Sequence, residues 1–434
     1  MKLVMAITVA IPAGIILLFI LKNPYVGVIL FFFLEYLRPY DLIPGLMKLR
    51  IAMLTLLVSL VAFIVLKART DRSLRWDRFN WMYAGFLGVI AVTVFTSANN
   101  FLAYNTFYSM AINFLVFILA TDLITGTSRL KKLLWLLLII HAYHSANGIL
   151  NMVTGAHVSK GMRTSGFVTS GFLKDENDFA LAMNTFIPFA FFMMFSAVSR
   201  FKKFLASGIL VALLLGVVSS MSRGGWIGLM AVALFLIWRS KNRGRSFAIV
   251  AILLVVAAAF APAQYWDEIS SISPTADTGE ARIQYWQAAV RMFIDHPLVG
   301  VGGGNGGVWM PTYIRVSDRD PNTQWGATFH GTLPQVLAEL GGLGMILYLG
   351  MLITTVKRLN RVRKVSQETE DGKFLAYMAN STLVGLIGYF VSAIFLSTAF
   401  YPQLWTLFIF TTVSYNLYRS MPAETEKTRP QLAI

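Results

Sequence analysis

The sequence predicts an all-α polytopic membrane protein: a bundle of about twelve transmembrane helices with one long, partly helical loop held outside the membrane. Three observations carry this. The chain is 56% hydrophobic and 13% charged, about half the charged share of a soluble domain. Its apolar residues form continuous runs of span length, as helices do, rather than the short alternating segments of a β-barrel. Basic residues crowd into alternate connections, the pattern that fixes the orientation of a multi-pass protein.

Taken in order, the apolar runs cover residues 3–21, 26–37, 51–66, 82–97, 107–124, 133–150, 179–198, 205–221, 226–238, 247–261, 333–356, 374–396 and 400–417. The first run lacks a small-residue cleavage site and is followed at once by another, so no cleavable signal peptide is expected. Residues 26–37 are short for a span, and Lys22-Asn23-Pro24 breaks the helix before them. The first two runs therefore read as one broken or re-entrant unit, and the first crossing stays open. Arg and Lys fill 67–80, 129–132, 200–203, 239–245 and 357–364. Placing these in the cytoplasm puts 151–178, the turn Ser222-Arg223-Gly224-Gly225 and 262–332 outside. The organisation expected is N-terminal spans over 1–261 with an external segment at 151–178, a large external loop over 262–332, C-terminal spans over 333–417, and a cytoplasmic tail over 418–434.

A formal net charge of +16 would suggest a nucleic-acid partner in a soluble protein. Here topology accounts for the basic loops, and no nucleic acid is expected. With no cysteine, disulfides, thiolate chemistry and Cys-ligated metals are excluded.

The external face collects the residues that could carry chemistry. The segment 151–178 holds His157, Lys160, Arg163, Lys174 and Asn177. Arg223 sits in a very short turn between apolar helices, and the long loop brings Arg282, Arg291 and His330. An arginine squeezed between spans is costly unless it meets a partner or a polar cavity, although Arg223 could also snorkel to headgroups. Several arginines on one face suit an anionic ligand, because guanidinium groups bind phosphate oxygens bidentately. Arg291 and Lys174 also read as ordinary solvated loop charges. The glycines from Gly300 to Gly307 lack the Lys-Ser/Thr ending of a nucleotide P-loop, and a flexible turn is the expectation. His141 and His144, mid-span, read equally as bundle packing or a polar pathway. His330 lies where the loop rejoins the membrane, and an imidazole there suits removal of a hydroxyl proton. No His-x-x-x-His spacing is present, and the Asp318–Asp320 pair lies deep in the loop.

Four motifs bring a family into view. Arg282-Ile283-Gln284-Tyr285-Trp286, followed by Asp295-His296-Pro297-Leu298-Val299-Gly300-Val301-Gly302, resembles the Arg-x-x-x-Trp … Pro-Leu-x-Gly-x-Gly signature of the O-antigen ligase and polymerase superfamily. His330, Glu339, Gly341 and Gly344 fall in register with its His-Asn-x-x-Leu … Glu-x-Gly-x-x-Gly signature, with Gly331 and Pro334 departing from it. Ser222-Arg223-Gly224 resembles its Ser-Arg-Gly turn. Arg163-Thr164-Ser165-Gly166-Phe167 with Asn177 resembles its Arg-x-x-Gly-x-Phe … Asn element, here led by Asp175-Glu176. The N-terminal opening also resembles O-glycosylation ligases found with exosortase systems.

The resemblance implies an inverting glycosyl transfer at the periplasmic face of the bacterial inner membrane, without metal or other cofactor. The donor would be a glycan on undecaprenyl diphosphate and the acceptor a sugar hydroxyl of the lipid A core, with membrane lipids around both. His330 would be the general base, with Arg223 and Arg282 clamping the diphosphate. Arg163, Asn177 and Arg291 would make further substrate contacts. Two alternatives stay open: repeat-unit polymerisation or ligation to protein by the same motifs, and, from another class, transport of a lipid-linked sugar. Transporters often carry internal repeats, and the sequence shows none.

Overall fold

The computed structural model describes residues 14–41, 50–70, 73–155, 173, 175–196, 199–239, 242–259, 277–315, 319–365 and 367–421. Among the described residues it is helical without strands. After a helical stretch over 14–22, the helices are α1 (Pro24–Leu37), α2 (Ile51–Thr70), α3 (Arg78–Thr96), α4 (Asn100–Leu123), α5 (Thr127–Thr154), α6 (Glu176–Ser196), α7 (Arg200–Ser220), α8 (Arg223–Arg239), α9 (Arg243–Ala259), α10 (Asp277–Asp295), α11 (Gly306–Tyr313), α12 (Thr332–Val362), α13 (Glu370–Ser392) and α14 (Pro402–Arg419).

Local chemistry sets the ends of these helices. Pro24 opens α1, and the Asn23 side chain accepts the Tyr25 amide at 3.3 Å, so the break expected at Lys22-Asn23-Pro24 is a capped helix start. Asp77 and Asn80 form a reciprocal capping box on α3. α5 begins at Thr127, before its apolar run: Arg129 continues the helix with its guanidinium on the Leu123 carbonyl at 2.6 Å and over the Tyr25 ring, Lys131 lies over the Phe374 ring, and Lys132 is exposed.

Among the described residues, eight helices (α2 to α7, α12 and α13) are long and apolar enough to cross a membrane. α1 and α8 are apolar but shorter, and α9 and α14 pack into the same bundle. α6 and α13 form its centre: α6 is buried from Asp178 to Met193 and packs on α7, α8 and α13. Outer helices turn residues such as Phe95, Val153 and Phe204 outward, as a lipid-facing surface requires.

At one end, α10 and α11 lie against the start of α12. Ala288, Ala289, Met292, Val301, Met310, Phe329 and Ala338 form a second, smaller core there. α12 is two helices in series, because Gly341 takes φ 62° and ψ −161° in its interior.

Candidate active site

The site begins at the turn between α7 and α8. Met221, with φ 52°, ends α7. The Ser222 hydroxyl accepts the Gly225 amide at 3.0 Å, capping α8, and donates to Asn177 Oδ1 at 2.7 Å. Asn177, near the start of α6, thereby fixes the turn that presents Arg223 as the first residue of α8. Deeper in, Asn184 Nδ2 donates to the Gly225 carbonyl at 2.7 Å and to Ser392 Oγ at 3.0 Å. At the rim, Tyr401 donates to Asp178 at 2.8 Å.

α10 brings the second arginine. Arg282, Tyr285, Trp286 and Ala289 follow an i, i+3, i+4, i+7 spacing and share a face. Trp286 Nε1 donates to the His330 carbonyl at 3.3 Å, and the Tyr285 ring lies 6.1 Å from the imidazole. Tyr285 is itself held, its hydroxyl donating to Gln324 at 2.9 Å. Arg282 stands one turn before Trp286. Partial burial lowers its pKa from the ordinary guanidinium range, and the nearby Arg223 cation lowers it further. Two arginines distant in sequence thus come within electrostatic reach of one another, on the helix that Tyr285 and Trp286 seat against the histidine.

His330 is clamped on both sides. Its backbone is left-handed, φ 47°, a strained state for a non-glycine residue that the surroundings must hold in place. Thr328 Oγ1 lies 3.3 Å from Nε2. Immediately after it, the Thr332 hydroxyl sits 2.8 Å from Thr398 Oγ1, and Gln335 accepts the Ala399 amide at 3.1 Å. The imidazole is therefore carried on a helix start stitched to the α13–α14 connection.

The Gly-rich run corrects the expectation of a flexible turn: it is a hydrogen-bonded strap. The break at Gly341 frees backbone groups of α12, and 297–302 takes them up. Val301 and Gly302 amides donate to the Ala338 and Glu339 carbonyls at 2.9 and 3.0 Å, while Gly342 and Leu343 amides donate to Pro297 and Leu298 at 2.8 and 3.1 Å. A Cβ on Gly300 would stand 2.5 Å from the Ala338 oxygen, and one on Gly341 2.6 Å from the Leu298 carbonyl. Glu339, buried, accepts the Gly304 and Gly306 amides at 3.0 and 3.2 Å. Buried Asn305 exchanges hydrogen bonds with the Asn99 backbone at 2.8 and 3.1 Å. Glu339 and Asn305 are the organising residues that sequence reasoning missed. Glu339 stood in register with a signature, but no spacing pointed to the amides it binds.

The other expected residues separate. Arg291 lies nine positions after Arg282, two and a half turns on and hence on the other side of α10. There Nη1 donates to the Tyr313 carbonyl at 2.7 Å, beside an open cleft of about 440 Å³ lined also by Asp295, Thr312 and Arg315. Burial and the adjoining Asp295 carboxylate push the Tyr313 phenol up to about 12. Arg163, with His157, Lys160 and Lys174, lies outside the described residues. His141 and His144 are packing residues: His141 Nδ1 is hydrogen-bonded to the Leu137 carbonyl and its ring is tilted against that of Phe186, centroids 3.9 Å apart, while His144 Nε2 meets the Tyr36 carbonyl at 2.9 Å.

Residues 208–349 match the family model described as O-antigen ligase. The matched stretch runs from α7 into α12 and takes in Arg223, Arg282, Arg291, His330, Glu339 and Gly341, leaving Asn177 and Arg163 before it. A comparison with curated proteins found no match.

Proposed function

With an O-antigen ligase domain at residues 208–349 as the premise, we propose that this chain transfers a glycan from undecaprenyl diphosphate to a sugar hydroxyl of the lipid A core. The reaction takes place at the periplasmic face of the inner membrane. The observation that carries this reading is the seating of α10 against His330 through Tyr285 and Trp286, which places Arg282, one turn earlier, near both the histidine and Arg223.

The hard part of such a transfer is the departure of a diphosphate, whose charge grows as the anomeric C–O bond breaks. Fixed cations placed where that charge develops lower the barrier most. Arg223 and Arg282 fill this role, and the first-turn amides of α8 add a positive dipole beneath them. Arg163 contributes a further contact to the donor, and Asn177 holds the Ser222 turn in place. Arg291, turned toward Tyr313, takes no part in diphosphate binding. The acceptor oxygen attacks the anomeric carbon from the face opposite the diphosphate and inverts it. His330 removes the hydroxyl proton, and the bonding electrons leave with undecaprenyl diphosphate. No metal is assigned a step.

The test is reconstitution of purified protein with lipid-linked glycan and lipid A core. The expected product is glycan joined to the core. Longer lipid-linked chains would make the protein a polymerase, glycan on a protein acceptor would make it a protein ligase, and movement of intact donor across the bilayer without joining would make it a carrier.

A further inference from the structure

α10 presents an inward face and an outward one. Ala281, Tyr285, Ala288, Ala289 and Met292 turn inward. On the opposite side, Ile283, Val290 and Ile294 are 56, 48 and 65% exposed. At about 100° per residue these three lie within about 40° of one another, a narrow apolar stripe with no charge in it. Beyond the helix the stripe continues to Leu298, 67% exposed. Leu298 is bonded through its backbone to Leu343, and Gly342 to Pro297. Leu343 opens the outward apolar row of α12 that runs on through Ile346 and Ile353. From Gly342 to Val362, α12 is about 30 Å long at ~1.5 Å per residue, the thickness of the hydrocarbon core. Leu298 therefore stands where α12 enters the bilayer, and the α10 stripe prolongs a lipid-facing surface rather than starting a separate patch.

We propose that α10 lies in the headgroup–acyl boundary of the leaflet on the site side, with Ile283, Val290 and Ile294 immersed in lipid, in the manner of an interfacial amphipathic helix. This seat fixes the helix rotation. Arg282 falls about 100° to one side of the stripe and Arg291 about 80° to the other, so Arg282 is carried at headgroup depth between lipid and bundle. A diphosphate anchored by its lipid meets the guanidinium without being lifted from the headgroup layer; that consequence rests on the donor reading given above, and the seat does not.

Because the chain has no cysteine, single-cysteine nitroxide labelling reads the seat directly. Val290→Cys and Ile294→Cys are labelled in the full chain in phosphatidylethanolamine–phosphatidylglycerol liposomes, with Ile346→Cys as the lipid control and the exposed loop position Asn322→Cys as the water control. The expected result is oxygen accessibility several-fold above that of a water-soluble nickel chelate at 290 and 294, matching 346. Accessibility matching 322 overturns the proposal, as does spin–spin broadening between copies or shielding from both reagents, which would give the stripe to a protein partner. The labels report whether or not the protein transfers glycan, so failure here and failure of the ligase reading are distinct.

Discussion

The two ends of the bundle treat positive charge in opposite ways. At the end where α2 and α12 carry their basic residues, two buried or half-buried cations are matched. Lys67 Nζ lies 2.5 Å from Asp122, and Arg358 Nη2 lies 2.6 Å from Asp77. The Arg358 guanidinium is also flanked by the Phe79 and Tyr415 rings, 5.4 and 5.0 Å from their centroids. At the other end Arg282 lies close enough to Arg223 for that cation, after partial burial, to lower its pKa. The matched pairs stabilise the fold as it stands. The two arginines close to one another are where the proposed reading seats an anion, and there a substitution should change transfer before it changes the fold.

Substitutions sharpen this contrast. The largest effect is expected from His330→Ala, a loss of roughly 10²–10⁴-fold in transfer, the usual worth of a general base, in protein that still inserts and melts normally; near-full transfer would remove the base from the mechanism. Arg282→Ala and Arg223→Ala should each cost about 10²–10³-fold. If the contact to phosphate is bidentate, the Lys variants should fail equally; if charge alone matters, Lys should restore most of the rate. At the opposite end, Arg358→Ala should lower stability by about 3 kcal/mol, because Asp77 loses its partner, with turnover per folded molecule unchanged; a turnover defect at constant melting temperature would break the division between the two ends. Glu339→Gln should cost about 1–3 kcal/mol, since the new amide donor must face a backbone N–H, measured as a shift in thermal melting. Chelator treatment should leave transfer unchanged, and rescue by divalent ions would overturn the metal-free step.

The bundle was legible because hydrophobic spans are written in composition, and where the apolar runs fall on described residues each largely coincides with a helix. Helix starts were less so: α5 and α7 extend into Arg- and Lys-bearing sequence that reads as loop, because those side chains find a carbonyl, an aromatic ring or water without ending the helix. Arg282 and His330 were legible through their motifs. What separates Arg282 from Arg291 is rotation around α10, and residue type carries no trace of it until the helix is in place. The strap was hidden for a different reason. Its pairing is backbone to backbone across a helix break, so the only side-chain sign is a set of glycines equally suited to a loose turn. Glu339 and Asn305, which bind amides and carbonyls of that strap, were hidden with it.

The strap also has a consequence for the order of assembly. Residues 297–302 leave the ribosome before 338–343 do, and their hydrogen bonds wait for the later segment. The hold on Thr332 and Gln335 comes later still, from residues 396–399 after α13. A nascent chain carrying every expected site residue is thus still unfinished as a site. A chain stopped at residue 365 keeps the strap and its partners but lacks 396–399, so it should insert yet leave the stretch around His330 and Thr332 more open to protease than in the full chain; equal protection there would refute this order. On the proposed reading, transfer becomes possible only once the last helices are in the membrane, a built-in delay between making the reactive groups and arming them.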